Sequence, residues 1–133
     1  MNGGTVTDTK TNLVWRRCVE GSTWDGIKCF GAPTMFTWGD ALVHAQAVAA
    51  AKGGKGWRVP NVKELESLVD VGRINPAIDP VAFQQTPAQA TWSSSPYSLD
   101  IFPTTNFAHC VYFDTGRVSF EQWDTPHPLR LVK

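Results

Sequence analysis

The sequence predicts an α+β domain spanning residues 1–133, built from two helices, short strands paired as hairpins and long loops. Three observations lead there. Two stretches place helix-capping residues in front of apolar side chains at helical spacing, and several short runs alternate with the period of a half-buried strand. Eleven glycines, nine prolines and six tryptophans then interrupt the remainder, a composition that suits loops pinned by aromatic anchors better than a helical bundle. A chain of 133 residues can bury roughly two-thirds of its unfolded surface in one core.

The elements follow in order. Thr5 to Asp8 and Thr11 to Arg17 are strand-like runs joined by turn chemistry at Asp8-Thr9-Lys10, so a hairpin opens the chain. In the second run Leu13 and Trp15 share one face, Val14 and Arg16 the other, and Trp15 is assigned to the core. Cys18 to Pro33 lacks periodicity and reads as an ordered loop anchored by Trp24 and Phe30. The spacing of Cys18 and Cys29 suits a disulfide that closes this loop, which implies an oxidising compartment.

Thr37 to Lys52 is predicted helical: Thr37 caps it, Asp40 suits its first turn, and Trp38, Leu42, Ala45 and Ala49 form the buried stripe. Gly53-Gly54 should end it. Pro60 then keeps Trp57-Arg58-Val59 extended, and Asn61 with Glu64 forms a capping box for a second helix over Asn61–Val69, striped by Leu65, Leu68 and Val69. Asn75-Pro76, Asp79-Pro80 and Thr86-Pro87 leave little regular structure between Asp70 and Gln89, where Ile74, Ile78 and Phe83 are expected to plug the core.

Thr91 to Ser95 reads as a strand and Pro96 to Thr105 as a long loop. Phe107 to Phe113 alternates, Asp114-Thr115-Gly116 turns, and Arg117 to Phe120 returns, which together predict a hairpin. Glu121 to Pro128 is a polar loop and Leu129 to Val132 a final strand.

Charge narrows the function. Twelve basic and twelve acidic residues leave no net field to recruit nucleic acid, and no apolar run approaches the ~20 residues that insert across a bilayer. The opening Met1-Asn2-Gly3-Gly4 carries no secretory leader and does not bear on targeting.

In this order, Thr5 to Asp8 with Thr11 to Arg17, Cys18 and Cys29, Trp38-Gly39-Asp40-Ala41, Gly56 to Asp70, Trp92 to Ser95, Phe113 to Gly116 and Leu129 to Val132 resemble the Lcl C-terminal domain family over nearly the whole chain. That resemblance implies a C-type-lectin-like fold, one twisted antiparallel sheet with two flanking helices and long loops, in a bacterial envelope or secreted protein. It extends more distantly to the formylglycine-generating sulfatase-modifying domains, through Arg58-Val59-Pro60 and Glu64 to Glu66. On this reading Trp57, Arg58 and Pro60 are scaffold.

Catalytic chemistry finds little footing. His44, His109 and His127 share no metal-ligand spacing with each other or with a cysteine, and no cofactor is expected. Cys110 would need a base to become a nucleophile, and its neighbour His109 points to the opposite strand face, so a buried inert thiol is favoured. The calcium-binding tripeptides of sugar-binding C-type lectins are missing; Gln122-Trp123-Asp124 is the nearest echo, and Asp124 alone cannot build a calcium cage. The expectation is therefore non-catalytic recognition of a glycan or a cell-surface protein, with homo-oligomerisation left open. The predicted ligand face comprises Tyr97, Asp100, Phe102, Asn106, Glu121, Trp123, Asp124 and His127. A basic patch of Arg16, Arg17, Lys28 and Lys55 is an alternative for an anionic polysaccharide.

Overall fold

The computed structural model describes residues 3–99 and 102–133, with side chains outside residues 98–105. Its elements run β1 Thr5–Asp8, β2 Leu13–Arg16, β3 Thr23–Trp24, β4 Cys29–Phe30, α1 Trp38–Ala50, α2 Val62–Glu66, β5 Ala90–Leu99, β6 Phe102–Tyr112 and β7 Arg117–Gln122. The α+β class holds, but the strands form three small antiparallel sheets, β1-β2, β3-β4 and β5-β6-β7, where one was expected.

The opening hairpin pairs Thr5 with Arg16 through Asp8 with Leu13. Asp8 shapes its turn, since its Oδ1 accepts from Lys10 N at 2.9 Å and its carbonyl accepts from Asn12 N at 2.7 Å. Trp15 is fully buried, as predicted. The Cys18–Cys29 disulfide forms, with the Cα atoms 5.7 Å apart. The stretch it closes is not simply a loop: β3 and β4 pair across a turn in which Asp25 Oδ1 accepts from Ile27 N and Lys28 N, each at 2.8 Å. Two paired residues a side are too few to show an alternation in sequence. Trp24 is half-buried, but Phe30 is 48% exposed and anchors nothing.

In α1, Thr37 accepts from Asp40 N as the cap, and Ala41 and Ala45 are buried. The helix ends at Ala50 rather than Lys52, because Ala51 is already extended and turns its N–H back onto the carbonyls of Ala47 and Val48. A side chain on Gly54 would strike the Val48 carbonyl at 1.8 Å, so glycine is required at that close approach. In α2 both halves of the capping box are present: Asn61 Oδ1 accepts from Glu64 N at 2.8 Å, and Glu64 Oε1 accepts from Asn61 N at 2.9 Å. Glu64 also receives both terminal nitrogens of Arg58 at 2.7 Å. The α-helix closes at Glu66 rather than Val69, and Leu68 N and Val69 N continue as tighter turns onto Leu65 and Glu66.

Of Pro96 to Thr105, expected as a loop, residues 96–99 belong instead to β5 and residues 102–105 to β6, while residues 100 and 101 lie outside the described residues. Proline is tolerated because β5 is an edge strand and its register shifts between Trp92 and Pro96. The β6–β7 hairpin matches expectation, from Phe107 opposite Gln122 to Tyr112 opposite Arg117. Ile78 and Phe83 are buried, whereas Ile74 is 68% exposed; a segment without periodicity does not reveal which side chain turns inward.

The expected final strand, Leu129 to Val132, does not form as a regular element; residues 128–133 tie these parts together through single bridges. Val132 bridges to both Trp15 and Arg58, and Trp92 N donates to the Pro128 carbonyl. Extended backbone sends alternate side chains to opposite sides. Leu129 and Leu131 enter a core with Ala41, Ala45, Trp57, Val59, Trp92 and Cys110, while Val132 enters a second with Trp15, Leu65, Ile78, Phe83, Val111 and Phe113. Arg130 is also buried, with its guanidinium 4.9 Å from the Phe83 ring centre. It donates to the carbonyls of Arg16 and Arg17 and to Thr86 Oγ1, so three oxygens replace the water it has lost.

Candidate functional site

A cavity of about 410 Å³ opens where the disulfide-closed segment meets β2, lined by Gly4, Thr5, Arg16, Glu20, Thr23, Trp24 and Trp57 among others. The backbone explains the convergence. Glu20 N donates to the Leu129 carbonyl at 2.8 Å and Arg16 N to the Leu131 carbonyl at 3.1 Å, so the chain end draws both residues against the core. Arg58 N pairs with Val132, which brings adjacent Trp57 to the same wall.

Glu20 is only 5% exposed, and its carboxylate is fully engaged. Arg16 Nη1 lies 3.2 Å from both of its oxygens, and His44 Nε2 lies 2.8 Å from Oε1. Arg16 spends one nitrogen on this pair; among the described residues its Nε and Nη2 have no partner. Its guanidinium sits 5.0 Å from the Trp57 ring centre, and Lys133 Nζ lies 4.8 Å from the same centre. Arg17 points the other way, as strand alternation requires. It covers Trp24 at 4.8 Å and donates to the carbonyls of Gly3 and Ala82, so Arg16 and Arg17 do not make one basic surface. Lys28 and Lys55 are solvent-exposed.

The predicted ligand face divides into two groups. Glu121, Trp123 and His127 lie together. Trp123 stacks on Trp38 at 4.7 Å, His127 meets the edge of Trp92 at 5.0 Å, and the Tyr112 hydroxyl donates to Glu121. His127 Nε2 pairs with Thr125 Oγ1 at 3.0 Å, and burial lowers its pKa against the opposing pull of Glu121. Asn106 contributes its carbonyl to Trp123 N, and Asp124 is exposed. Tyr97 belongs elsewhere: it stacks on Phe120 at 4.4 Å and meets the edge of His109 at 4.9 Å. Asp100 lies outside the described residues, as does the side chain of Phe102.

Sequence reasoning missed the cavity. From sequence, Trp24 reads as an anchor, Trp57 as scaffold and Arg16 as part of a basic patch, and Glu20 does not stand out. No local signal marks Glu20, since its burial depends on pairing with the far end of the chain. Cys110 is fully buried, and desolvation pushes its thiol far above the usual range. No group of three or more metal-ligating side chains occurs among the described residues.

Residues 4–133 match the model of the family described as the Lcl C-terminal domain. No curated protein and no solved structure matches the chain.

Proposed function

Because the chain belongs to the Lcl C-terminal domain family, we propose that it is a non-catalytic recognition and adhesion module of a bacterial envelope or secreted protein, and that its cavity receives a carbohydrate. The observation that carries this reading is a recess of about 410 Å³ lined by the Arg16–Glu20 pair and by the indoles of Trp24 and the largely buried Trp57. That volume falls within the range of roughly 300–1,000 Å³ common to small-molecule sites. A sugar matches such a lining, since its C–H faces pack on the half-buried Trp24 indole and its hydroxyls accept from the Arg16 guanidinium, which the buried Glu20 holds in place. The Nε and Nη2 of Arg16, which have no partner among the described residues, also suit an acidic sugar. On the same reading the sheets and helices are a C-type-lectin-like arrangement, and the disulfide fits an extracellular or periplasmic setting.

The raised pKa of the buried Cys110 thiol supports recognition over a cysteine-based oxidase chemistry. A second reading, display of a surface that binds a receptor protein, draws support from the partly exposed aromatic strip of Tyr97, Phe107 and Phe120. A glycan array read across a salt titration, run beside a pull-down against surface proteins, separates the two. The carbohydrate reading expects one sugar class to bind and Trp24→Ala and Arg16→Ala to abolish that binding. Silence on every sugar class, or binding indifferent to both substitutions, would overturn it.

A further inference from the structure

We propose that a second copy of this chain docks on the free edge of β7, extending β5-β6-β7 into one continuous antiparallel sheet about a two-fold axis at Ser119. β7 is the end strand of its sheet and pairs with β6 without a register shift. Trp123 N donates to the Asn106 carbonyl at 2.9 Å, and alternation from that bond turns the amides and carbonyls of Val118 and Phe120 outward. Among the described residues no group bonds to them. The side chains at this edge remain exposed, Val118 at 38% and Phe120 at 37%. Edges of this kind are ready templates for another strand.

The sequence of β7, Arg117-Val118-Ser119-Phe120-Glu121-Gln122, names the occupant. Antiparallel pairing about Ser119 sets Val118 against Phe120 of the second copy, twice, on the face that carries Tyr97 and Phe107. It also sets Arg117 against Glu121 of the second copy, twice, on the opposite face. The outward backbone groups of Val118 and Phe120 bond their counterparts in the same register. Slipping by two residues either way leaves Arg117 or Glu121 facing Ser119, and slipping by one opposes the two faces. One register alone therefore satisfies backbone, apolar pair and charge pair together. Arg117 is 55% exposed, lying 4.3 Å from the Tyr112 ring centre and 3.7 Å from Asp114, and it leaves these surface contacts to reach Glu121 of the second copy, a carboxylate that also accepts from its own Tyr112 hydroxyl. A strand this short buries less than a permanent interface needs, so association is weak and reversible. Pairing would present two cavities on one particle, which raises avidity for a repeating ligand.

Sedimentation equilibrium from about 1 to 500 µM, a span chosen to catch a weak interface, tests the proposal. A monomer–dimer equilibrium is expected. Arg117→Glu and Glu121→Arg should each weaken it about tenfold through like charges set opposite one another, and the double variant should restore it. Val118→Lys, at an exposed edge position that the fold tolerates, should abolish dimers. A monomer throughout the range, a dimer indifferent to Val118→Lys and Arg117→Glu, or a folded double variant that fails to recover would each overturn it. The readout is mass, so it stands or falls independently of sugar binding.

Discussion

Replacing Glu64 tests how the Trp57–Glu66 segment is held. Glu64 accepts from Asn61 N as the return half of the capping box and receives Arg58 in a two-point ion pair. Losing one backbone acceptor costs about 1 kcal/mol. The ion pair, with side chains 47% and 18% exposed, adds about 0.5 kcal/mol after solvent screening. Glu64→Ala should therefore destabilise by about 1.5 kcal/mol, a fall in Tm of about 6 °C for a domain of this size. Glu64→Gln retains the capping hydrogen bond and should cost only about 0.5 kcal/mol. The pH dependence follows from the Arg58 hydrogen bond, which lowers the Glu64 pKa below its ordinary value of 4.5. The unfolded chain then holds the proton more readily than the folded one. The ionic stabilisation is complete above the ordinary value and disappears as pH falls through the lower folded value. Thermal melts followed by circular dichroism at pH 7 and pH 3 should thus show the gap between wild type and Glu64→Gln closing in acid. If Glu64→Gln costs as much as Glu64→Ala, or the alanine variant melts with wild type, the reasoning is wrong.

Three further outcomes are expected. Gly116→Ala should lose about 2 kcal/mol in urea unfolding, because φ is +89° there and a Cβ would lie 2.5 Å from Val69 Cγ1; Gly39→Ala, with no atom within 4 Å, should lose nothing. Removing the Cys18–Cys29 bridge as a double alanine variant should cost about 3 kcal/mol, the loop-closure value for a separation of 11 residues. Iodoacetamide should leave Cys110 unlabelled in the native protein and label it in denaturant; rapid native labelling would contradict its complete burial.

What the sequence made legible was local. Asn61 and Glu64 announce α2, Thr37 announces α1, and alternation announces β6 and β7, because each signal lies within a few residues of the structure it specifies. The structure departs from expectation where distant pairing decides. The β5 strand continues through Pro96 because β6 runs beside it, and the chain end serves three neighbours instead of forming a regular strand. The same cause hid the cavity. Arg16 and Glu20 meet Trp57 only after residues 128–133 have drawn the opening hairpin and the Trp57 turn together. Among the residues expected to bind ligand, Trp123 is half-buried against Trp38, a stack that its loop position does not reveal.

The central claim is that ligand enters the recess lined by Trp24, Arg16 and Trp57. The six tryptophans supply six indole N–H reporters, and a two-dimensional nitrogen–proton NMR titration with the sugar selected on the array reads them together. Shifts at Trp24 and Trp57, with Trp38 and Trp123 unmoved, are the predicted result. Shifts confined to Trp38 and Trp123 would move the site to the Glu121–His127 group and contradict the account.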